Sequence, residues 1–195
     1  MVQRRAALIL AAGASVRMGT PKALLPWGAS TLLGHAVAQA RAAGAHEIVV
    51  VLGPATRDVS VPGCRVTYNP SPETGRSASI RLGAADLPDG LAAILLQSVD
   101  QPTAAEVSAA LYAALAPPCL VAIPTFGGRR GHPLCLSGTL RQELSELTEA
   151  EQGLRAVVRR HADALIEVPV SAESVVWNLN DPAAYAAAVA ALDKP

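Results

Sequence analysis

The chain has 195 residues, 51% of them hydrophobic, with 16 Lys plus Arg balanced by 16 Asp plus Glu. That length builds one substantial core and is short for two ordinary domains, so a single domain over residues 1–195 is expected. Balanced charge gives no global attraction to a nucleic-acid backbone, 3% aromatic content leaves little surface for stacking bases, and no apolar run approaches the ~20 residues of a membrane span, so neither nucleic acid nor membrane is an expected partner.

Met1-Val2-Gln3-Arg4-Arg5 leads into an apolar run with no small-residue cleavage pattern behind it, which reads as the start of a fold and predicts a cytoplasmic protein. The run Ala6 to Leu10 predicts a buried strand that breaks at Gly13, followed by a long loop of the kind compact domains keep for function. Leu32, Leu33, Ala36, Val37 and Ala40 then recur at helical spacing, predicting a helix from Thr31 to Ala43 with Ser30 as N-cap and Gly44 just past its end. Glu47 to Leu52 is β-branched and closed by Gly53-Pro54, a second buried strand, and strand, helix, strand makes a right-handed βαβ unit.

The alternation continues: strand Arg65 to Tyr68, helix Ser77 to Ala85, strand Ala92 to Leu96, helix Ala104 to Leu115, strand Leu120 to Ile123. Beyond it, Thr125 to Gly131 predicts a loop, His132 to Leu136 a short strand, Leu154 to Ala162 a helix and Leu165 to Val170 another strand. Asp181-Pro182 opens a terminal helix with Asp as N-cap and Pro at the first helical position. This pattern specifies an α/β domain around a mostly parallel sheet. Cys64, Cys119 and Cys135 are odd in number and lack zinc or redox spacing, so neither a disulfide framework nor a zinc site is expected.

The loop after the first strand reads Leu10-Ala11-Ala12-Gly13-Ala14-Ser15-Val16-Arg17-Met18-Gly19-Thr20-Pro21-Lys22-Ala23-Leu24-Leu25-Pro26. Open parallel sheets bind ligands beyond the C-terminal ends of their strands. Small residues there let backbone N–H groups approach phosphate oxygens, and Arg17 and Lys22 supply cations for a polyphosphate. The loop lacks both the Walker A and the G-x-G-x-x-G spacing. Asp100, in Leu96-Gln97-Ser98-Val99-Asp100-Gln101-Pro102, closes another apolar strand and has the oxygen chemistry of a hard divalent cation, although an Asp there also suits a cap for the helix that follows.

The glycine-bearing loop resembles the L-A-A-G-x-S-x-R-M-G-x-x-K-x-L-L-P signature of the MobA-like NTP transferases, the molybdenum-cofactor nucleotidyltransferases. The Asp100-Gln101-Pro102 step resembles the D-Q-P of their molybdopterin cytidylyltransferases, with Val99 where those usually carry Gly. Val176-Trp177-Asn178-Leu179-Asn180-Asp181-Pro182 resembles the late motif completing their metal site, which puts Asn180 beside Asp100 as a ligand; a turn-forming Asn is the alternative there. The stretch Asn69-Pro70 to Gly83 resembles an element lying against the nucleotide base and brings in Asn69 and Ser79; Ser77 and Ser79 suit anions or simple capping. Gly127 to Pro133 resembles the acceptor-side G-x-x-G-H-P loop, giving Gly131, His132 and Pro133, with His132 better read as a structural residue before proline than as a base. Glu151 to Arg155 departs from the family's G-D-x-G-A-R.

The resemblance implies a Rossmann-like nucleotidyltransferase fold and transfer of a nucleoside monophosphate from an NTP, CTP being favoured, onto a phosphorylated acceptor such as molybdopterin. Leu10, Ala11, Ala12, Gly13, Ala14, Ser15, Arg17, Lys22, Asn69, Ser79 and Asp100 would bind the nucleotide. Arg17, Lys22 and Asp100 would carry catalysis, with Mg²⁺, or Mn²⁺ in its place, on Asp100 and Asn180. A molybdenum enzyme receiving the product is the implied protein partner. The wider superfamily leaves sugar- or alditol-phosphate nucleotidyltransferases as an alternative, and a non-catalytic nucleotide-binding module is a third.

Overall fold

The computed structural model of the chain describes residues 3–13, 15 and 18–192. At its centre is β1 (Arg5–Ala11), buried from Ala6 onward. It pairs in parallel with β4 (Glu47–Leu52) on one side and β6 (Ala93–Ser98) on the other. Ala7, Ile9 and Ala11 face one hydrophobic cluster while Ala6, Leu8 and Leu10 face a second. A strand buried on both faces needs continuous apolar sequence, which is why this run shows no alternation.

The sheet extends from β4 to β5 (Arg65–Tyr68) at one edge. At the other it passes from β6 through β9 (Leu134–Ser137) and β7 (Val121–Phe126) to β10 (Leu165–Pro169). Strand β9 runs antiparallel between β6 and β7, so the sheet is mixed but mostly parallel. The helices α1 (Leu32–Ala42), α3 (Ala105–Ala114) and α6 (Pro182–Leu192) bury residues into the first cluster. On the other face lie α2 (Arg76–Ala85), α4 (Arg141–Ser145) and α5 (Leu154–Arg160), giving the three layers of an α/β domain.

Three local features differ from expectation for physical reasons. Helix α1 is capped by Thr31, whose Oγ1 accepts from Gly34 N at 3.1 Å. Ser30 and Thr31 together form β3 (Ser30–Thr31), paired antiparallel with β2 (Pro26–Trp27) at the end of the long loop, so the helix begins at Leu32 and its cap falls on Thr31. The helix does close at Gly44, whose φ of +93° lets its N–H reach Arg41 O at 2.9 Å while Ala45 N reaches Ala40 O at 3.0 Å. The expected Thr125 to Gly131 loop is mostly hairpin: β7 runs to Phe126 and pairs with β8 (Arg129–Arg130) across Gly127 and Gly128, both at positive φ, as a tight turn between twisted strands requires.

Candidate active site

The parallel strands β1 and β6 end at the same edge of the sheet, and there they open a cavity of about 200 Å³. Its floor is Leu10, Ala11, Ala12 and Gly13 from β1 and its turn, with Ser98, Val99 and Asp100 from the end of β6. Val99 N donates to Leu10 O at 3.2 Å, so the side chain replacing the family's usual Gly leaves the two strand ends joined. Ala12 is held down from behind. Thr56 Oγ1 donates to Ala11 O at 3.2 Å and accepts from Gly53 N at 3.0 Å, and a Cβ on Gly53 would collide with the Ala12 backbone.

Ser15 adopts a φ of +52°, which turns the chain back so that its Oγ accepts from Lys22 N at 2.9 Å. Lys22 opens a single 3-10 turn through Leu24, and the buried Ala23 anchors that turn in the α1 side of the core. The ammonium is thereby aimed over the strand ends. Lys22 Nζ donates to Asp100 Oδ2 at 2.6 Å and to Asn180 Oδ1 at 2.7 Å. Asn180 arrives there because Leu179 is buried and its N–H donates to Asp100 O at 3.0 Å, tying the segment to the end of β6. Asp181 caps α6 through Ala184 N at 2.9 Å, as expected of an Asp-Pro helix start. Asp100 does not cap α3: the N-cap is Ala104, with no side-chain bond.

Two hard oxygens therefore converge on one cation, and a divalent ion is the natural alternative occupant. Among the described residues no group of three or more His, Cys, Asp or Glu gathers as a self-sufficient metal site. An ion on Asp100 and Asn180 would draw its other ligands from phosphate and water, the habit of Mg²⁺. The residues fit.

Other expected residues fall in two groups. Ser79 lines the cavity, but Asn69 is buried beside it with Nδ2 on Ser79 Oγ at 2.9 Å and Oδ1 accepting from Ser71 N at 3.0 Å. Asn69 thus orients Ser79 and does not line the cavity. Ser77 is buried, and its N–H donates to Glu149 Oε1 at 2.6 Å. Gly131, His132 and Pro133 also lie outside the cavity lining. Gly131 packs where a Cβ would meet the Val175 carbonyl, and His132 N donates to that carbonyl at 2.8 Å. Burial, reinforced by the charge of Arg76 and opposed by that of Asp100, pushes the His132 imidazole down to about 4. Its Nδ1 is buried without a partner among the described residues. Ala14 and Arg17 lie outside the described residues.

Sequence reasoning passed over Arg76, the first residue of α2, which lines the cavity together with Asp100 and Lys22. Its only signal was its place directly after Gly75, whose φ of +113° swings the helix start toward the strand ends.

A family model described as the MobA-like NTP transferase domain matches residues 7–165. A nicotine blue oxidoreductase from Paenarthrobacter nicotinovorans is 30% identical over 174 residues, 78% of this chain and 80% of the relative. A molybdenum cofactor guanylyltransferase from Rhizobium johnstonii is 32% identical over 187 residues, 91% of this chain and 88% of the relative. The crystal structure of Rv0371c from Mycobacterium tuberculosis H37Rv superposes with a TM-score of 0.82 at 27% identity, covering 97% of this chain and 99% of that one. A further structure of Rv0371c, in complex with manganese, superposes with a TM-score of 0.78 at 24% identity over 97% and 100% of the two chains. Family model, relatives matched over most of their length and shared architecture agree, and the chain belongs to the MobA-like NTP transferase family.

Proposed function

We propose that the chain acts as one nucleotidyltransferase domain that transfers CMP from CTP to a phosphorylated acceptor, molybdopterin or its metal-loaded form, with release of pyrophosphate. The observation that carries this reading is the Lys22 ammonium held between Asp100 and Asn180 at the mouth of a glycine-bearing turn. A phosphate oxygen of the acceptor attacks the α-phosphorus in line; the new O–P bond forms as the bond to the β-phosphate oxygen breaks, and its electrons leave on pyrophosphate. Such transfers depend on positioning and charge neutralisation.

The backbone from Ala12 to Ser15 fixes the nucleotide, and Lys22, with Arg17 assigned the same task, offsets charge on the triphosphate and the departing pyrophosphate. Asp100 and Asn180 would hold Mg²⁺, with Mn²⁺ as substitute, and such an ion would supply charge neutralisation for the phosphates. Ser79, steadied by Asn69, faces the nucleotide, and Gly131, His132 and Pro133 border the acceptor. His132 is neutral at pH 7, so it serves as a hydrogen-bonding group and not as a cation. The Ala11-Ala12-Gly13 start and Asp100-Gln101-Pro102 favour cytidine, a cytoplasmic setting suits the substrates, and a molybdenum enzyme would receive the product.

A second reading is oxidoreductase chemistry, favoured by the 30% identity to a nicotine blue oxidoreductase. One experiment separates the readings. Purified protein is incubated with Mg²⁺, molybdopterin and each of the four NTPs while pyrophosphate is followed, and in parallel with NADH or NADPH and dye acceptors. Pyrophosphate release dependent on CTP and molybdopterin supports the proposal. Release only with sugar phosphates moves the acceptor class, tight CTP binding without release points to a non-catalytic module, and nicotinamide oxidation alone points to the second reading.

A further inference from the structure

Lys22 and Arg76 reach the cavity from opposite faces of the sheet. The Lys22 turn is anchored by Ala23 in the cluster beneath α1, whereas Arg76 begins α2, which packs on the other face. Asp100, just past the end of β6, lines the same cavity. The Lys22 ammonium is already engaged by the Asp100 carboxylate and the Asn180 amide. The Arg76 side chain has no hydrogen bond or ion pair among the described residues, although Arg76 lines the same cavity as Asp100.

The Arg76 side chain is exposed to solvent along the cavity, open to an incoming ligand. Neighbouring protein pulls its ionisation below the ordinary arginine range, with the Asp100 charge acting in the other direction. Its charge acts on His132 as well as on Asp100. A guanidinium that lines the cavity without a protein partner among the described residues is suited to a ligand that returns two parallel hydrogen bonds and a negative charge, and a phosphate monoester dianion does both. The glycine-bearing turn and Lys22, on the other wall, already form the triphosphate side.

We infer that Arg76 binds the phosphate monoester of the acceptor and sets its nucleophilic oxygen facing the α-phosphorus, a role resting on the nucleotidyltransferase reading above. The assignment makes Arg76 a determinant of acceptor class: phosphate monoesters enter, and neutral alcohols lacking that dianion do not.

The test is calorimetric titration of phenyl phosphate, and separately of CTP with Mn²⁺, into wild type, Arg76→Ala, Arg76→Lys and, as a charge control on the same helix, Arg81→Ala. Loss of a charged hydrogen-bond pair predicts that Arg76→Ala weakens phenyl phosphate about tenfold or more, with partial recovery in Arg76→Lys. Arg81→Ala should match wild type, and CTP affinity should stay within about twofold in all four proteins. The proposal is overturned if wild type shows no phenyl phosphate binding, if Arg76→Ala leaves that binding intact, or if Arg81→Ala weakens it equally. Lost CTP affinity with phenyl phosphate unchanged also overturns it, placing Arg76 on the triphosphate and leaving the nucleotidyltransferase reading standing. Absent CTP binding in wild type would sink that reading, while the phenyl phosphate comparison still decides whether Arg76 is a phosphate site.

Discussion

Lys22 Nζ lies 2.6 Å from Asp100 Oδ2, although 78 residues separate them in the chain. Both side chains are largely sheltered, 14% and 21% exposed, so the pair is held by its surroundings more firmly than a surface ion pair. The same short distance that joins them also makes them separable by kinetics. Asp100→Ala deletes the carboxylate but keeps the backbone carbonyl that accepts from Leu179 N, so the fold should persist with a loss of about 1 kcal/mol. Turnover should fall by about two orders of magnitude or more at saturating Mg²⁺. Lys22→Ala should act mainly on triphosphate handling, raising KM for CTP about tenfold. Steady-state kinetics read both effects, and full activity of Asp100→Ala would remove it from the site.

Gly53→Ala probes the support behind the nucleotide turn. A Cβ there meets backbone atoms of Ala12, which have no flexible end to swing away. The expected cost is about 1–3 kcal/mol of stability, accompanied by a higher KM for CTP because Ala12 lines the cavity. Gly90→Ala is the contrast. At a φ of +71° with open space around it, it should cost about 1–2 kcal/mol of backbone strain with unchanged KM. Chemical denaturation and kinetics on the two variants separate displacement of the turn from general destabilisation, and equal KM values would argue against Ala12 as a nucleotide contact.

Much of this architecture is legible in the chain because its signals are local. The apolar runs at β1 and β4 and the Asp181-Pro182 helix start each carry their own explanation. The Lys22 and Asp100 segments stand out by motif and strand-end position. What escapes depends on tertiary placement. Ser30 reads as the cap until the short strand β3 carries the chain one residue farther and Thr31 Oγ1 accepts from Gly34 N. Asn69 looks like a ligand-facing residue, whereas its buried amide bonds Ser79 and Ser71. Arg76 is one arginine among many until α2 brings it beside Asp100.

His132 predicts a pH dependence. Its imidazole titrates near 4 in the folded protein against 6.5 in its ordinary state, first because of burial and then because of Arg76. Between those values the unfolded chain binds the extra proton, so stability rises with pH and is lost as pH falls from 6.5 through about 4. The contribution amounts to about 3 kcal/mol at most. His132→Gln should flatten that part of the profile. Denaturation midpoints at pH 7, 6, 5 and 4, compared between the variant and wild type, check it; parallel curves would dissociate His132 from the acid response.

Asn180→Asp tests the metal assignment without dismantling the site. The Asn180 side-chain oxygen shares the Lys22 ammonium with Asp100, so a carboxylate at that position adds a second negative ligand around the same point. Cation affinity at oxygen sites follows ligand charge, and Mn²⁺ binding should tighten about tenfold, whereas Asn180→Leu should weaken it by a similar factor. Neither change touches the bond from Ala184 N to Asp181 that starts α6, so both variants should melt within a few degrees of wild type. Mn²⁺ titration followed by electron paramagnetic resonance gives the affinities directly. Equal values in all three proteins would take Asn180 out of the ligand set and leave Asp100 as the sole protein carboxylate facing the metal.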